Sequence, residues 1–349
     1  MTNDETRILD LLRTALFGKP LTESLFADMT DSDWERLFHI ARNNKVVAVC
    51  GDAIATLPTH LRPSRKIWIP WISETKKVEL CYKNQIDVLS ALTALLSTHD
   101  IKTLVLKGPS LGTFYPHPEH REFGDLDLYH YGRWKEADQI VAKHYGVHVS
   151  NDAYHHTKYT LNHVTIENHY TFVNSRTQRS NSNYEKILQS LVPSATFETL
   201  FHIRHMSGHF ASGRIVLRDL ADWALFLSNH TDDVDWQLVN KTINEYNIVP
   251  FVGNIQAILE DHFGITPHPA LKRANDKPLQ ERILNDIIYG EFDEIEHPEE
   301  NLGRVFWKIR RYKSNRWKHQ LCYSDPWFPT FLRGIFVHLL KPRSIIHKM

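Results

Sequence analysis

Two aspartates separated by one residue form the pattern in this sequence that most clearly suggests chemistry. Asp125 and Asp127 lie in the segment GDLDLY, where aspartate alternates with leucine. Side chains of a strand alternate between its two faces, so we expect both carboxylates on one face and Leu126 and Leu128 in the core. Two adjacent carboxylates repel each other unless a cation lies between them. The pair is therefore predicted to hold Mg²⁺ and to leave coordination positions open for phosphate oxygens.

A turn suited to phosphate binding precedes this pair. The apolar run at residues 101–106 is predicted to be a strand, and it ends in Lys107 and Gly108. A short helix-compatible stretch that contains Ser110 follows. Glycine lets the backbone approach a phosphate closely, and the first turn of a helix offers free N–H groups to it.

Glu167 adds a third carboxylate on a predicted neighbouring strand, residues 164–172. In that strand Glu167 shares a face with His169, opposite Ile166 and Asn168. A carboxylate beside an aspartate pair suits two-metal phosphoryl or nucleotidyl transfer, in which it can also help to remove the proton of an acceptor hydroxyl.

Together these segments carry a family resemblance. KGPSL (107–111), Tyr115, REFGDLDL (121–128) and IENHY (166–170) are similar to motifs of the nucleotidyltransferase superfamily, which has the polymerase-beta-like fold. More narrowly, the chain resembles a bacterial group of uncharacterised nucleotidyltransferase-family proteins. A later LRDLADW segment (217–223) and the pair Asp235-Trp236 also fit, so that the resemblance covers roughly residues 35–245.

The resemblance implies a role for each matching residue. It implies that three carboxylates hold Mg²⁺ (or Mn²⁺) and carry out catalysis: Asp125, Asp127 and Glu167. It implies that four residues bind the nucleotide: Lys107, Gly108, Ser110 and Arg121. The chain departs from the superfamily pattern at Pro109, which stands where Ser or Gly usually follows the glycine directly.

Four other residues are weaker candidates for lining the site: His169, His205, His209 and Asp219. His169 fits either a site residue or a hydrogen-bonded core histidine. His205 and His209 lie one helical turn apart, but no glutamate follows His205, so packing or nucleotide contact is favoured over zinc. Asp219 lies in an otherwise apolar helix, where an acid must be paired, and a structural pair with Arg218, Arg214 or a core histidine is favoured.

The elements that must position these residues alternate between helix and strand. The predicted order is β-α-β-α-β-β-β, with a helix at residues 134–145 and a strand directly after it at 145–149. The fold class is α+β, a small mixed-sheet nucleotidyltransferase core flanked by N-terminal and C-terminal helical regions. We expect four parts: a helical region (1–98), the core (99–180), a helical region packed on the core (181–265), and a linker with a basic C-terminal helical segment (266–349).

Composition restricts the class of protein. The 349 residues carry 41 Lys and Arg against 41 Asp and Glu, so there is no overall attraction to nucleic acid. The three cysteines are far apart, which argues against a disulfide framework. The acidic N-terminus lacks a signal-peptide layout, and no apolar run reaches the about 18 residues that span a bilayer. A cytoplasmic protein without a transmembrane segment is predicted.

The leading hypothesis is metal-dependent transfer of a nucleoside monophosphate from an NTP to an acceptor, which is left open as a small molecule, a sugar or a protein. The neutral charge and the lack of a dedicated RNA-binding domain argue against nucleic acid. One alternative is a non-catalytic module with the same fold that binds a nucleotide or a partner. Another is a helical adaptor whose basic, aromatic-rich run (304–318) and apolar helix (331–340) contact an anionic membrane or RNA.

Overall fold

The computed structural model of the protein describes residues 1–174, 178–229, 232–266, 268–291 and 301–340. It is an α+β fold with a small mixed sheet, as predicted. The strands are β1 (Leu104–Val105), β2 (Asp125–Tyr129), β3 (His156–Leu161) and β4 (Val164–His169).

Helices come before and after the strands in the sequence and pack around the sheet. The first six are α1 (Asn3–Phe17), α2 (Asp31–Asn43), α3 (Val47–Thr56), α4 (Arg65–Ser97), α5 (Pro109–Gly112) and α6 (Trp134–Tyr145). The next six are α7 (Asn181–Leu191), α8 (Ala195–Ser212), α9 (Leu217–Asn229), α10 (Trp236–Glu245), α11 (Val249–Phe263) and α12 (Lys277–Tyr289). The last three are α13 (Asn301–Ser314), α14 (Arg316–Cys322) and α15 (Trp327–Leu340).

The sheet has the order β1-β2-β4-β3. The two central strands, β2 and β4, are parallel, and each edge strand is antiparallel to its neighbour. No strand forms at residues 145–149, so that prediction is wrong. Gly146 ends α6 in a left-handed conformation, and the chain then meets β3 only through the isolated bridge of Ser150 to Lys158. Val147 and Val149 pack against the core without joining the ladder.

One face of the sheet packs on α4 and α6. Leu126 and Leu128 of β2 and Ile166 of β4 are fully buried there, together with Leu92 of α4 and Val141 of α6. The alternation predicted for β2 is therefore confirmed. The carboxylates of β2 and β4 are left on the opposite face of the sheet.

The N-terminal helices are fixed by matched caps. Thr2 is the N-cap of α1 and Thr30 is the N-cap of α2. In each case the threonine exchanges hydrogen bonds with an acidic residue three positions later. Their apolar faces join α8, α9, α11 and α12 in one continuous core. That core therefore unites both ends of the chain around the sheet.

The C-terminal segment is packed on this body through α14, which contacts α8 and α11. Lys318, part of the basic run, is buried and forms an ion pair with Asp286 at 2.6 Å. At least one positive charge of the basic run therefore lies in the protein interior, paired with an acid, and not on the surface. Within the described residues, no helix combines the length and apolarity that crossing a bilayer requires.

Candidate active site

The parallel pairing of β2 and β4 brings the predicted carboxylates together. The register places Asp127 opposite Glu167, with Asp125 opposite Thr165. Because side chains at paired positions project from the same face, both acids lie on the face away from the leucines. The predicted placement of Glu167 on a neighbouring strand is confirmed.

Asp127 is the most buried of the three carboxylates, with 1% of the residue exposed. Its Oδ2 lies 3.0 Å from Lys107 Nζ, and its Oδ1 lies 2.9 Å from His169 Nε2. Burial alone would raise the pKa of Asp127, but the charge of Lys107 and the hydrogen bond with His169 outweigh it and hold that pKa well below its ordinary value. Asp127 is therefore ionised at neutral pH, as a metal ligand must be.

The pKa of Glu167 is shifted in the opposite direction from that of Asp127. Burial raises its pKa, and the negative charges of Asp125 and Asp127 raise it further. Its Oε1 accepts a hydrogen bond from Lys158 Nζ at 3.3 Å, on the edge strand. A raised pKa makes a carboxylate a stronger base, which suits it to accept a proton.

Three side chains at this face could ligate one ion. Asp127, Glu167 and His169 each present a ligand atom, and these atoms all lie within 4.8 Å of one another. Asp125 lies on the same face of β2 but is more exposed than Asp127 and is not part of that group. The structure thus places His169, a weaker candidate from the sequence, beside two of the three predicted carboxylate ligands.

The turn after β1 has the positive-φ backbone that glycine adopts readily and other residues rarely do. Gly108 has φ +73°, and an added Cβ would lie 3.5 Å from the Phe123 ring. The helix that follows, α5, is only four residues long, and Ser110 within it is half-buried. Lys107, one residue before the turn, is held between Asp127 and His205, whose Nε2 lies 3.1 Å from Lys107 Nζ.

Arg121 is differently placed from the phosphate contact that its motif implies. It is 3% exposed and donates two hydrogen bonds to Asp222 of α9, Nε to Oδ1 at 2.8 Å and Nη2 to Oδ2 at 2.7 Å. The Tyr115 hydroxyl donates to the same Oδ1 at 2.7 Å. The Arg121 charge is thus matched by Asp222, which ties the loop before β2 to α9, and a phosphate would have to compete with a buried bidentate pair.

A family model described as uncharacterised nucleotidyltransferase matches residues 30–264. The chain belongs to this family. The matched range includes every carboxylate and histidine of the candidate site and ends before the basic C-terminal helices. Neither the curated proteins nor the solved structures contain a significant match to the chain.

The weaker candidates of this nucleotidyltransferase-family chain divide into two kinds. His205 contacts Lys107 of the site. His209, one turn further along α8, is exposed, and its ring lies at 51° to that of His205 with centroids 4.3 Å apart. Asp219 is paired as predicted, because it accepts hydrogen bonds from Arg218 at 2.6 Å and from the Val216 N–H at 2.9 Å. Burial opposes ionisation of Asp219, but Arg218 lowers its pKa to about 2.

His155 and His156 also lie beside the carboxylates, although the sequence did not single them out as site residues. His156 of β3 pairs with His169 of β4 in the ladder. Burial lowers the pKa of His155 to about 3 and that of His156 to about 2, and neighbouring histidines add to the effect. Two adjacent histidines at the start of a strand are visible in the sequence. Only the pairing of β3 with β4 shows that they lie next to His169.

Proposed function

We propose that the protein transfers a nucleoside monophosphate from an NTP to an acceptor and releases pyrophosphate, with Mg²⁺ (or Mn²⁺) as cofactor. Membership of the family supports nucleotidyl transfer in general. The observation that carries the proposal is the cross-strand pair of Asp127 and Glu167, with Asp125 on the same face and Lys107 beside it.

The donor set fits a hard divalent cation. Three carboxylates supply the oxygen ligands that Mg²⁺ prefers. Burial and then the negative charges of Asp125 and Asp127 raise the pKa of Glu167, and a bound cation would offset the repulsion between these charges. Asp127 and Glu167 would hold the ion, with Asp125 on the same face as a further oxygen donor, and the ion when bound would lessen the charge on the phosphate oxygens.

The remaining chemistry belongs to side chains of the protein. Glu167 is placed to take the proton of the acceptor hydroxyl, whose oxygen then forms a bond to the α-phosphorus. The bond from that phosphorus to the bridging oxygen breaks, and pyrophosphate leaves. Lys107 offsets the charge on the leaving phosphates, and the Gly108 turn with Ser110 lies against them. His205 fixes the Lys107 ammonium through their contact at 3.1 Å.

A binding module without turnover is the second candidate, and one observation favours it. Both oxygens of Asp127 already have partners within the protein, Lys107 and His169. A metal ion would have to displace or rearrange these contacts before Asp127 could serve as a ligand. A nucleotide that binds with Lys107 alone would leave them intact.

The acceptor is proposed to be a small molecule, a sugar or a protein, and the cytoplasm is the location that the sequence predicts. The zero formal charge gives no drive toward nucleic acid.

Pyrophosphate release separates the two candidates. Purified protein is incubated with each NTP, Mg²⁺ and fractionated cell extract as the source of acceptor, and pyrophosphate is measured. Asp127→Asn should abolish release, whereas Asp87→Asn, a change at an exposed position of α4, should not. Equal release by the Asp127→Asn protein refutes the assignment of Asp127. Binding of an NTP without release in any fraction supports the module.

A separate surface role is proposed for the C-terminal helices. Five large apolar side chains of α13 and α15 are exposed: Phe306, Phe328, Leu332, Ile335 and Phe336. Those on α15 follow helical spacing along one face. Exposed basic side chains accompany them: Arg310, Lys313 and Arg316. This combination of apolar and positive surface matches an anionic membrane surface, with the helices lying on it rather than crossing it.

A further inference from the structure

Three histidines meet where β3 and β4 pair, beside the carboxylates. The ladder places His156 opposite His169, and His155 immediately precedes β3. The ring centroids are 4.3 Å apart for His155 and His156, and 5.2 Å for His156 and His169. One ligand nitrogen from each of the three lies within 4.8 Å of the other two.

Two of these rings have buried nitrogens whose hydrogen-bonding capacity is unused. Among the described residues, Nδ1 of His155 and Nδ1 of His156 are buried and neither makes a hydrogen bond, although His156 Nδ1 lies 3.3 Å from Glu167 Oε2. The whole of His156 is only 8% exposed. Buried polar atoms are paired in most native structures because leaving them unpaired costs free energy. A shared ligand would supply the missing partner for both rings.

The third ring is oriented as metal-bound histidines are. His169 Nδ1 lies 3.3 Å from the carbonyl oxygen of Thr171, and Nε2 lies 2.9 Å from Asp127 Oδ1. A bound metal ion would take the place of the proton between Nε2 and Asp127. A ligating histidine commonly donates its other N–H to such a carbonyl, which fixes the tautomer and the ring orientation. Glu167 completes the surroundings, with Oε2 3.3 Å from His156 Nδ1.

We infer that His155, His156 and His169, with Glu167 beside them, form a binding site for a divalent transition-metal ion of the zinc class. Imidazole nitrogens suit Zn²⁺ and Co²⁺, whereas Mg²⁺ prefers oxygen ligands and retains water. Three histidines supply three of the four ligands of a tetrahedral ion and leave the fourth position for water or another ligand. The site shares His169 and Glu167 with the carboxylate group, but it does not depend on nucleotidyl transfer.

Metal titration without nucleotide tests this inference. Untagged full-length protein is stripped with a chelator and titrated with Co²⁺, whose visible absorption reports tetrahedral coordination, and then with Zn²⁺ as a competitor. We expect one equivalent of Co²⁺ that Zn²⁺ displaces and excess Mg²⁺ does not. The double variant His155→Ala/His156→Ala should bind at least about tenfold more weakly.

The matched control is His144→Ala/His148→Ala, which removes two exposed histidines nearby in the sequence. It should bind as the wild type does. Equal affinity of the wild type and the His155/His156 variant overturns the inference. So does metal binding that survives in that variant but is lost in His205→Ala/His209→Ala. If the alanine variant does not fold, glutamine replacements at the same two positions give the same comparison. Because no NTP is present, none of these results depends on whether the protein transfers nucleotides.

Discussion

The buried ion pair of Arg121 and Asp222 should contribute to stability rather than to nucleotide binding. Asp222→Asn removes the charge that receives two hydrogen bonds from Arg121 and one from Tyr115. The Arg121 guanidinium, 3% exposed, would then be a buried cation without its counter-ion. Breaking such a pair costs about 3–5 kcal/mol of unfolding free energy. Tyr115→Phe, which removes one hydrogen bond to a charged group, should cost about 1.5–3 kcal/mol.

The double variant Arg121→Met/Asp222→Leu is the decisive comparison. Replacing both members of a buried pair by apolar residues of similar volume is often neutral or stabilising, so we expect it to recover most of the stability lost by Asp222→Asn. Urea unfolding followed by tryptophan fluorescence measures stability, and equilibrium titration with an NTP analogue measures affinity. A stable double variant with the wild-type affinity is expected. A stable double variant that has lost the nucleotide would refute this reasoning and restore Arg121 as a phosphate contact.

Three further predictions concern the site and the surface. Glu167→Gln should lower kcat by about 10²–10⁴-fold, because the amide cannot accept the proton of the acceptor hydroxyl. An unchanged kcat in this variant contradicts the role. Lys107→Met should weaken NTP binding by about 10–100-fold, corresponding to a charge-assisted hydrogen bond of about 1.5–3 kcal/mol, with unchanged affinity as the contrary result. Phe328→Ser/Leu332→Ser should reduce co-sedimentation with anionic vesicles but not with neutral ones, whereas Leu80→Ser, an exposed leucine of α4, should have no effect; equal sedimentation of all three proteins argues against a membrane role.

Local periodicity made part of the site predictable. The alternation at Asp125–Tyr129 gave the faces of β2 correctly, because the leucines had to enter the core and the aspartates could not. The helix at Trp134–Tyr145 was likewise predicted at its observed bounds. The same alternation gave the face of its predicted strand on which Glu167 lies.

Pairings between distant segments were not predictable in the same way. Arg121 and Asp222 lie 101 positions apart, and neither position signals the other through spacing. Whether Arg121 meets a phosphate or an aspartate depends on how α9 packs on the loop before β2. The wrong strand at 145–149 has a related cause, since an apolar run becomes a strand only where a partner edge is within reach, and only Ser150 reaches β3.

The position of Lys107 makes it a substitute cation in this site. Its ammonium lies 3.0 Å from Asp127 and 3.1 Å from His205, so it balances the carboxylate charge that a divalent ion would otherwise balance. If the ion takes over Asp127, the ammonium is released toward the phosphates that accompany it. Metal and nucleotide should therefore bind with positive coupling, each raising the affinity for the other to the same extent. The free protein would then hold Mg²⁺ weakly and acquire it mainly as the Mg²⁺–NTP complex.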